Sequence, residues 1–310
     1  MTRLLFSAPP ADWPVWRPHL ARACAVRGLA VEIVDAADPA TVDYVAYSPE
    51  GGLADFAPFT RLRVVLSLWV GVETIVGNDT IAVPLCRMVD PGLRAGMVEW
   101  VAGHVLRHHL GTDAHVLGQD GVWRHDVVPP LARDRRVGVV GLGELGLACA
   151  LALKGLGFDV AGWSRRPKPD APVPSHSGEA GLATLLARSE IIVLLLPATP
   201  ATERLIDADR LASIRPGAVL INPGRGALID DEALLAALDA GRLAHATLDV
   251  FREEPLPPSH RFWSHPRVTV TPHIASATRP ESAADVVAEN IRRGEAGLPF
   301  LHEVDRKHGY

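Results

Sequence analysis

The chain has 310 residues, of which 48% are hydrophobic and 22% charged, as in soluble globular proteins of one large or two ordinary domains. The net charge of −5 excludes a general attraction to nucleic acid or to an anionic membrane surface. No apolar run is long enough to span a membrane, and the chain opens on a strand rather than a signal peptide. Because Cys24, Cys86 and Cys149 fit neither disulfide nor metal spacing, we expect a cytoplasmic protein.

Short apolar strands alternate with helical or loop segments over the first 94 residues. Strands are predicted at residues 4–7, 30–34, 44–47, 64–68 and 81–85, with a helix at 14–27 that Gly28 ends. This alternation is typical of a parallel sheet built from βαβ units. No phosphate-binding glycine loop occurs here, which indicates a role different from that of the second half.

A domain boundary is predicted at residues 89–94, where Pro91-Gly92 is a turn and helix-breaker signal. A long helix is expected to follow over residues 95–110. It carries His104 and His108 at i,i+4 spacing, and His109 beside them. Because the pattern lacks an acidic partner and the Glu of a HExxH zinc motif, we interpret them as ordinary helical histidines and expect no metal.

Residues 137–146 join a buried strand, a glycine loop and the start of an apolar helix. The strand 137–140 leads directly into Gly141, Gly143 and Gly146, which have GxGxxG spacing. In that position Gly141 makes the tight turn, Gly143 lets the backbone approach a pyrophosphate, and Gly146 lets helix and strand pack closely. The N–H groups of the helix then face the phosphates, so we predict a dinucleotide-binding turn.

The end of the next strand, 158–163, indicates which dinucleotide is bound. A NAD-binding fold usually has Asp or Glu about 20 residues past the glycines, where it holds the ribose 2′-hydroxyl. Here Ser164, Arg165, Arg166 and Lys168 follow the strand. A hydroxyl and cations bind a 2′-phosphate, whereas an acid repels it, so the sequence favours NADP(H) over NAD(H).

Further strands are predicted at 191–196, 218–222, 244–250 and 268–271, with a helix between the second and third that Asp230 caps and Gly241 ends, and a last helix at 281–293 before the tail 300–310. Ligands of an open α/β sheet bind beyond the carboxyl ends of its strands. The turn 197–202 follows the first of these strands and can flank an adenine ring. Arg225, Glu254 and His273 follow the other three.

These three side chains suit the reduction of a 2-oxo acid. Imidazole titrates near neutral pH, so His273 can donate the proton that the carbonyl oxygen needs. Glu254 can hold the other ring nitrogen and favour the charged form. The planar fork of Arg225 matches a carboxylate and a carbonyl, and the glycines on both sides of it admit a substrate. We predict that the three residues act together.

The motifs at 222–226, 248–257 and 265–273 resemble those of the D-isomer-specific 2-hydroxyacid dehydrogenases. Within that family, residues 163–165, 263–273 with 277–280, and 304–306 with 309–310 look most similar to the glyoxylate/hydroxypyruvate reductase A group. The resemblance implies an α/β protein with two doubly wound parallel-sheet domains. A Rossmann domain of residues 95–278 would be inserted in a flavodoxin-like substrate domain of residues 1–94 and 279–310. It also implies a homodimer formed through the nucleotide domain.

The resemblance further implies an NADPH-dependent reductase of small 2-oxo acids, with glyoxylate and hydroxypyruvate as candidates. It makes Arg225 the substrate binder, His273 the acid/base and Glu254 its partner, and it assigns the nicotinamide amide to Asp249 and the substrate carboxylate to Gly71-Val72. The predicted substrate-binding set is Trp69, Val70, Gly71, Val72, Arg225 and His273. The predicted cofactor-binding set is Gly141, Leu142, Gly143, Glu144, Leu145, Gly146, Ser164, Arg165, Arg166, Lys168, Leu196, Pro197, Thr202, Asn222, Pro223 and Asp249.

Two departures from the family pattern lie on the substrate side. The family loop usually reads Gly-Ala-Gly-Val-Asp, whereas this chain has Trp69-Val-Gly-Val-Glu73, and Tyr47-Ser48 replaces a Trp-His pair. Trp69 either packs beneath the loop as core or forms a wall of the pocket. Two other functions stay open: a dehydrogenase for a larger 2-hydroxy acid, and a dinucleotide-sensing binding protein that resembles the corepressors of this superfamily.

Overall fold

The structure, a computed structural model, describes residues 1–123, 125 and 128–309. Parts of the predicted 118–136 connection, and the last residue of the predicted tail and closing motif, lie outside the described residues. The chain forms two compact units, one of Met1–Leu93 with Ala277–Tyr310 and one of Arg94–Ser276. The helices are α1 Trp13–Val26, α2 Pro91–Leu110, α3 Thr112–Val116, α4 Glu144–Gly155, α5 Gly178–Arg188, α6 Ala208–Ser213, α7 Asp231–Asp239 and α8 Pro280–Glu295.

The first unit contains a five-stranded parallel sheet. Its strands are β1 Thr2–Ser7, β2 Val31–Val34, β3 Tyr44–Tyr47, β4 Val64–Ser67 and β5 Leu85–Cys86, in the order β2-β1-β3-β4-β5. That order is the flavodoxin-like one. Helices α1 and α8 pack against each other, so the last helix of the chain completes the core of the first unit.

Two sequence predictions at the end of this unit are wrong. The strand predicted at 81–85 is only Leu85–Cys86, because Pro84 has no N–H to donate and only its carbonyl joins the ladder, accepting from Val65. Pro91 does not break a helix but begins α2. The carboxylate of Asp90 accepts the N–H groups of Gly92 and Leu93 and thereby caps the helix, and proline is favoured directly after such a cap.

The second unit contains a seven-stranded parallel sheet. Its strands are β6 Arg136–Val140, β7 Asp159–Ser164, β8 Ser175–Ser177, β9 Ile191–Leu194, β10 Ala218–Asn222, β11 Leu243–Leu248 and β12 Val268–Val270, in the order β12-β11-β10-β9-β6-β7-β8. The order reverses between β6 and β9, which is the Rossmann arrangement with its ligand crevice at the switch point. The predicted fold class, two parallel-sheet α/β domains of these two types, is confirmed.

The histidines of α2 pack inside this unit. Nε2 of His108 lies 2.8 Å from Oγ1 of Thr247, and the His108 ring lies 5.0 Å from the ring of His245, whose own Nε2 is 2.8 Å from Oγ1 of Thr269. Among the described residues, no group of three or more His, Cys, Asp or Glu side chains is arranged to hold a metal ion. Desolvation and neighbouring cations lower the pKa of His108 to about 3 and that of His245 to about 4.

These neutral histidines predict that the protein loses stability in acid. An unfolded chain binds a proton at each below pH 6.5, whereas the folded chain does not until about pH 3 to 4, so stability falls as the pH drops through that window. At about pH 5, each of the two histidines lowers the free energy of unfolding by about 2 kcal/mol relative to neutral pH. Replacing both by glutamine should flatten the fall in Tm between neutral pH and about pH 5. An equally steep fall in the double variant would contradict this assignment.

Candidate active site

The glycine loop lies between β6 and α4. Gly141 has φ +112°, a conformation that favours glycine, and a Cβ on Gly146 would lie 1.7 Å from the carbonyl oxygen of Gly141, so both positions require glycine. A Cβ on Gly143 would instead meet no atom within 4 Å. Gly143 is the N-cap of α4 and offers no side chain to the first N–H groups of the helix. A pyrophosphate therefore fits the open side of this loop.

The basic segment after β7 is tied to the glycine loop. Nζ of Lys168 donates to the carbonyl oxygen of Leu142 at 2.6 Å, so the lysine joins the two loops. Ser164 is buried, and its hydroxyl donates to the carbonyl oxygen of Arg166 at 2.6 Å, so it shapes the turn. Arg165 and Arg166 are both exposed. The guanidinium groups of this segment are thus the charges best placed for an anion from solvent.

The turn after β9 is closed by threonine hydroxyls. Oγ1 of Thr202 donates to the carbonyl oxygen of Pro197 at 2.7 Å and accepts the N–H of Thr199 at 2.9 Å. Leu196, Pro197 and Thr202 are all half-buried. The turn therefore presents a partly apolar surface against which an aromatic ring can lie. Because β9 is the neighbour of β6 in the sheet, this turn follows the strand next to the one that leads into the glycine loop.

Arg225 is held at the end of β10. The buried side chain of Asn222 donates to the carbonyl oxygen of Arg225 at 2.9 Å and accepts the N–H of Gly224 at 3.1 Å. NH1 of Arg225 donates to the carbonyl oxygen of Gly224 at 2.7 Å, and the side chain is half-buried. Asn222 and Pro223 are both buried, so Asn222 contributes by fixing the backbone that carries Arg225.

Asp249 follows β11 and is fully buried. Its Oδ1 accepts the hydroxyl of Thr271 at 2.6 Å and the N–H of Ile274 at 3.0 Å, and its Oδ2 accepts the N–H of Ala275 at 2.8 Å. All three donors belong to the loop that carries His273. The carboxylate that the resemblance assigned to the nicotinamide amide thus also anchors that loop. Since an ionised carboxylate accepts about four hydrogen bonds, Oδ2 keeps capacity for a further donor.

His273 and Glu254 form a hydrogen-bonded pair. Nδ1 of His273 lies 2.6 Å from Oε2 of Glu254, whose Oε1 accepts the N–H of Phe251 at 2.8 Å. His273 has φ +52°, a strained conformation for a residue with a side chain, and its N–H donates to the carbonyl oxygen of Asp249 at 2.8 Å. The ring is 52% exposed. Because the Glu254 carboxylate accepts the hydrogen bond of Nδ1–H, Nε2 is the nitrogen left to exchange a proton with a ligand.

The structure brings Arg225, Glu254 and His273 to the carboxyl edge of one sheet, on the loops after three successive strands. Sequence reasoning missed the support for this edge: the Thr271, Ile274 and Ala275 donors to Asp249. The nearest signal was Thr271, which stands two residues before His273 in the recognised motif. Every residue except proline has a backbone N–H group, so the identity of a residue does not indicate which of these groups donates to a side chain.

The residues predicted to bind the substrate carboxylate belong to the other unit, after β4. The N–H groups of Val70, Gly71 and Val72 donate no hydrogen bond within the described part of the chain. The side chain of Val72 is buried, whereas Trp69 is 38% exposed. Of the two interpretations of Trp69, packing as core is therefore wrong. The carbonyl oxygen of Trp69 accepts the N–H of Met88, and this hydrogen bond holds the loop to the residues that follow β5.

The chain belongs to the D-isomer specific 2-hydroxyacid dehydrogenase family. The family model for the NAD binding domain of those enzymes matches residues 101–275. Among the curated relatives, a glyoxylate/hydroxypyruvate reductase A from Serratia proteamaculans is 41% identical over 259 residues, which cover 81% of this chain and 82% of that protein. The predicted family membership is thereby confirmed.

Solved structures match the chain over its whole length. A D-isomer specific 2-hydroxyacid dehydrogenase from Xanthobacter autotrophicus Py2, in complex with NADPH and MES, is 42% identical with a TM-score of 0.91, over 100% of this chain and 99% of that one. An NADPH-dependent glyoxylate/hydroxypyruvate reductase from Sinorhizobium meliloti, in complex with NADP and sulfate, is 34% identical with a TM-score of 0.86, over 100% of both chains. No helix in the described residues is long and apolar enough to cross a membrane.

Proposed function

We propose that this protein reduces small 2-oxo acids, glyoxylate and hydroxypyruvate foremost, to the corresponding 2-hydroxy acids with NADPH. The observation that carries the proposal is the His273–Glu254 pair at 2.6 Å, on the same sheet edge as Arg225 and the open glycine loop. The names of the relatives agree with it, since they are glyoxylate/hydroxypyruvate reductases and one solved enzyme is NADPH-dependent. The unit 94–276 would bind the dinucleotide, and the other unit would bind the oxo acid.

The residues present fit NADPH. The pyrophosphate would lie over Gly143 at the start of α4, and the 2′-phosphate would lie against Arg165 and Arg166, with Lys168 joining the two loops. The other predicted nucleotide contacts are Leu142, Glu144, Leu145, Gly146, Leu196, Pro197, Thr202, Asn222, Pro223 and Asp249. When bound, the nicotinamide supplies a hydride to the carbonyl carbon of the substrate.

The side chains supply the rest of the reaction. In the unit 94–276, the Arg225 guanidinium binds the substrate carboxylate and polarises its carbonyl group. In the other unit, the N–H groups of Gly71 and Val72 are the predicted carboxylate donors. Protonated His273 donates from Nε2 to the carbonyl oxygen, where negative charge develops. Glu254 keeps the ring oriented and stabilises the imidazolium before transfer.

A panel of 2-oxo acids tests the proposal. Purified protein should oxidise NADPH with glyoxylate and hydroxypyruvate, and turn over longer 2-oxo acids more slowly. Faster turnover of longer acids would show instead a dehydrogenase for larger 2-hydroxy acids. Tight NADPH binding with no turnover of any 2-oxo acid would contradict the proposal and indicate a dinucleotide-sensing protein.

Trp69 should limit the size of the substrate. Because its side chain is exposed beside the Gly71-Val72 loop, it is available to wall the pocket near the third carbon of the oxo acid. We expect Trp69→Gly to raise kcat/KM for longer 2-oxo acids relative to glyoxylate, since one methylene in a pocket is worth about 1–3 kcal/mol. Loss of activity on every acid with unchanged ratios would exclude this role.

The protein would act as a homodimer in a reducing, cytoplasmic compartment. Its three cysteines are free and buried, as suits such a compartment. Large apolar side chains are exposed from the last residue of α2 to the start of β6, at Leu110, Val116, Leu117, Val122, Trp123, Val128 and Leu131. Exposed stretches of this kind mark protein interfaces. Sedimentation equilibrium should give the mass of two chains, and Trp123→Asp should shift the mass toward one.

A further inference from the structure

Arg252 connects three loops at the carboxyl edge of the seven-stranded sheet. Its Nε and NH2 donate to the carbonyl oxygen of Ile229 at 3.1 and 2.6 Å, and NH2 also donates to the carbonyl oxygen of Ala227 at 3.1 Å. Its NH1 pairs with Oε1 of Glu203 at 2.7 Å. Glu203 follows β9, Ala227 and Ile229 follow β10, and Arg252 itself follows β11. One guanidinium group therefore joins three successive loops.

The contacts of Arg252 lie next to the proposed active-site residues. Ala227 is the middle residue of the 3-10 helix Gly226–Leu228, which begins directly after Arg225, and the N–H of Leu228 donates to the Arg225 carbonyl oxygen. On its own loop, Arg252 stands two residues before Glu254. We call Arg252 and its acceptors Glu203, Ala227 and Ile229 the Arg252 clamp. The clamp holds the backbone after Arg225 to the backbone before Glu254.

The two loops also touch at the backbone. A Cβ on Gly226 would lie 2.0 Å from the carbonyl carbon of Phe251 and 2.5 Å from the backbone nitrogen of Arg252. The N–H of Phe251 in turn donates to Oε1 of Glu254. Because these segments are packed without a gap, a shift of one loop is transmitted to the carboxylate that orients His273.

We infer that Arg252 is a positioning residue, which sets the Arg225 guanidinium at its working distance from the Glu254–His273 pair. The inference rests on the proposed function. All three guanidinium nitrogens of Arg252 are engaged by protein acceptors, so it acts through the loops rather than on the substrate. The flat fork of an arginine can reach two carbonyl groups and a carboxylate at once, which the single ammonium group of a lysine cannot.

The inference predicts a split between the kinetic constants. In the full-length protein, Arg252→Ala should lower kcat/KM for hydroxypyruvate about 10²-fold, the cost of displacing a substrate-positioning group by about 1 Å. Both kcat and the KM for the oxo acid should change more than the KM for NADPH, because the glycine loop and Arg165 lie outside the Arg252 clamp and only the loop that carries Glu203 belongs to both. Arg252→Lys should restore part of the loss, since the pair with Glu203 can re-form.

Arg210 provides a matched control. Its side chain is 28% exposed, against 29% for Arg252, and it likewise pairs with a carboxylate, Glu179 at 2.7 Å, and donates to a carbonyl oxygen, that of Leu205 at 2.9 Å. It lies on α6, and Arg210→Ala should leave the KM for hydroxypyruvate unchanged.

Three results separate the possibilities. An Arg252→Ala effect no larger than that of Arg210→Ala, or an equal rise in the KM for NADPH, would overturn the inference. If Arg252→Ala does not fold, the same split measured in Arg252→Lys decides. If the unmodified protein turns over no 2-oxo acid, this result contradicts the proposed function itself, and it is distinct from the two results that would contradict the role of Arg252.

Discussion

Replacing His273 by alanine should lower kcat for the reduction of glyoxylate by about 10²–10⁴-fold, the usual contribution of a general acid. The proton that Nε2 supplies would then come from water. Alanine also disfavours the φ of +52° at this position, so part of the loss in that variant is conformational. His273→Asn separates the two effects, because asparagine tolerates the left-handed region but carries no exchangeable ring proton. It should show only the loss that is due to the missing acid, and it should be more stable than the alanine variant.

A neutral substitution tests the partner of His273. The Glu254 carboxylate lies 2.6 Å from Nδ1 of His273 and orients the ring. Glu254→Gln keeps a hydrogen-bond acceptor but removes the negative charge, so kcat/KM for glyoxylate should fall while the KM for NADPH stays unchanged. An unchanged kcat/KM in this variant would remove Glu254 from this role.

The second large effect concerns the choice of nucleotide. Arg165→Ala combined with Arg166→Ala should lower kcat/KM with NADPH by about 10²-fold or more, since each charge-assisted contact with a phosphate is worth about 1.5–3 kcal/mol. Activity with NADH should stay as it was, because NADH has no 2′-phosphate.

Arg133→Ala is the matched control for the nucleotide experiment. Arg133 is an exposed arginine of the same unit, placed before β6 and paired with Asp134 at 4.0 Å, so its loss should change neither activity. Equal use of NADPH and NADH by the unmodified protein would contradict the assignment of the basic loop.

The parallel strands could be predicted from the sequence to within one or two residues over most of the chain. Strands covered on both faces read as continuous apolar runs, as at β3 and β10, whose bounds match the prediction in full. The predicted cap Asp230 and terminator Gly241 of α7 are confirmed, because capping is local chemistry: Asp230 accepts the N–H of Ala233 and Gly241 has φ +69°.

What could not be predicted depends on contacts between distant residues. The edge strand β8, Ser175–Ser177, has no apolar pattern, because a short edge strand need not be buried on either face. The start of α2 at Pro91 depends on the Asp90 cap, which outweighs the breaker signal.

The candidate site divides in the same way. The side chains that carry reactive groups, Arg225, Glu254 and His273, were found because each follows a strand within a recognisable motif. Their supports were not found. Asp249 and Arg252 form hydrogen bonds with backbone groups more than 20 residues away in the chain. At that separation, neither helical nor strand periodicity in the sequence indicates which donor meets which acceptor.

The central claim is hydride transfer from NADPH to a 2-oxo acid with Arg225, Glu254 and His273 on one sheet edge. The most direct measurement uses NADPH that carries deuterium on the transferable position of the nicotinamide, with hydroxypyruvate as the acceptor. We expect D-glycerate with deuterium on carbon 2, formed by the unmodified protein and about 10²–10⁴-fold more slowly by His273→Asn. NADPH oxidation without label in the product, or an equal rate of labelled product with His273→Asn, would contradict the claim.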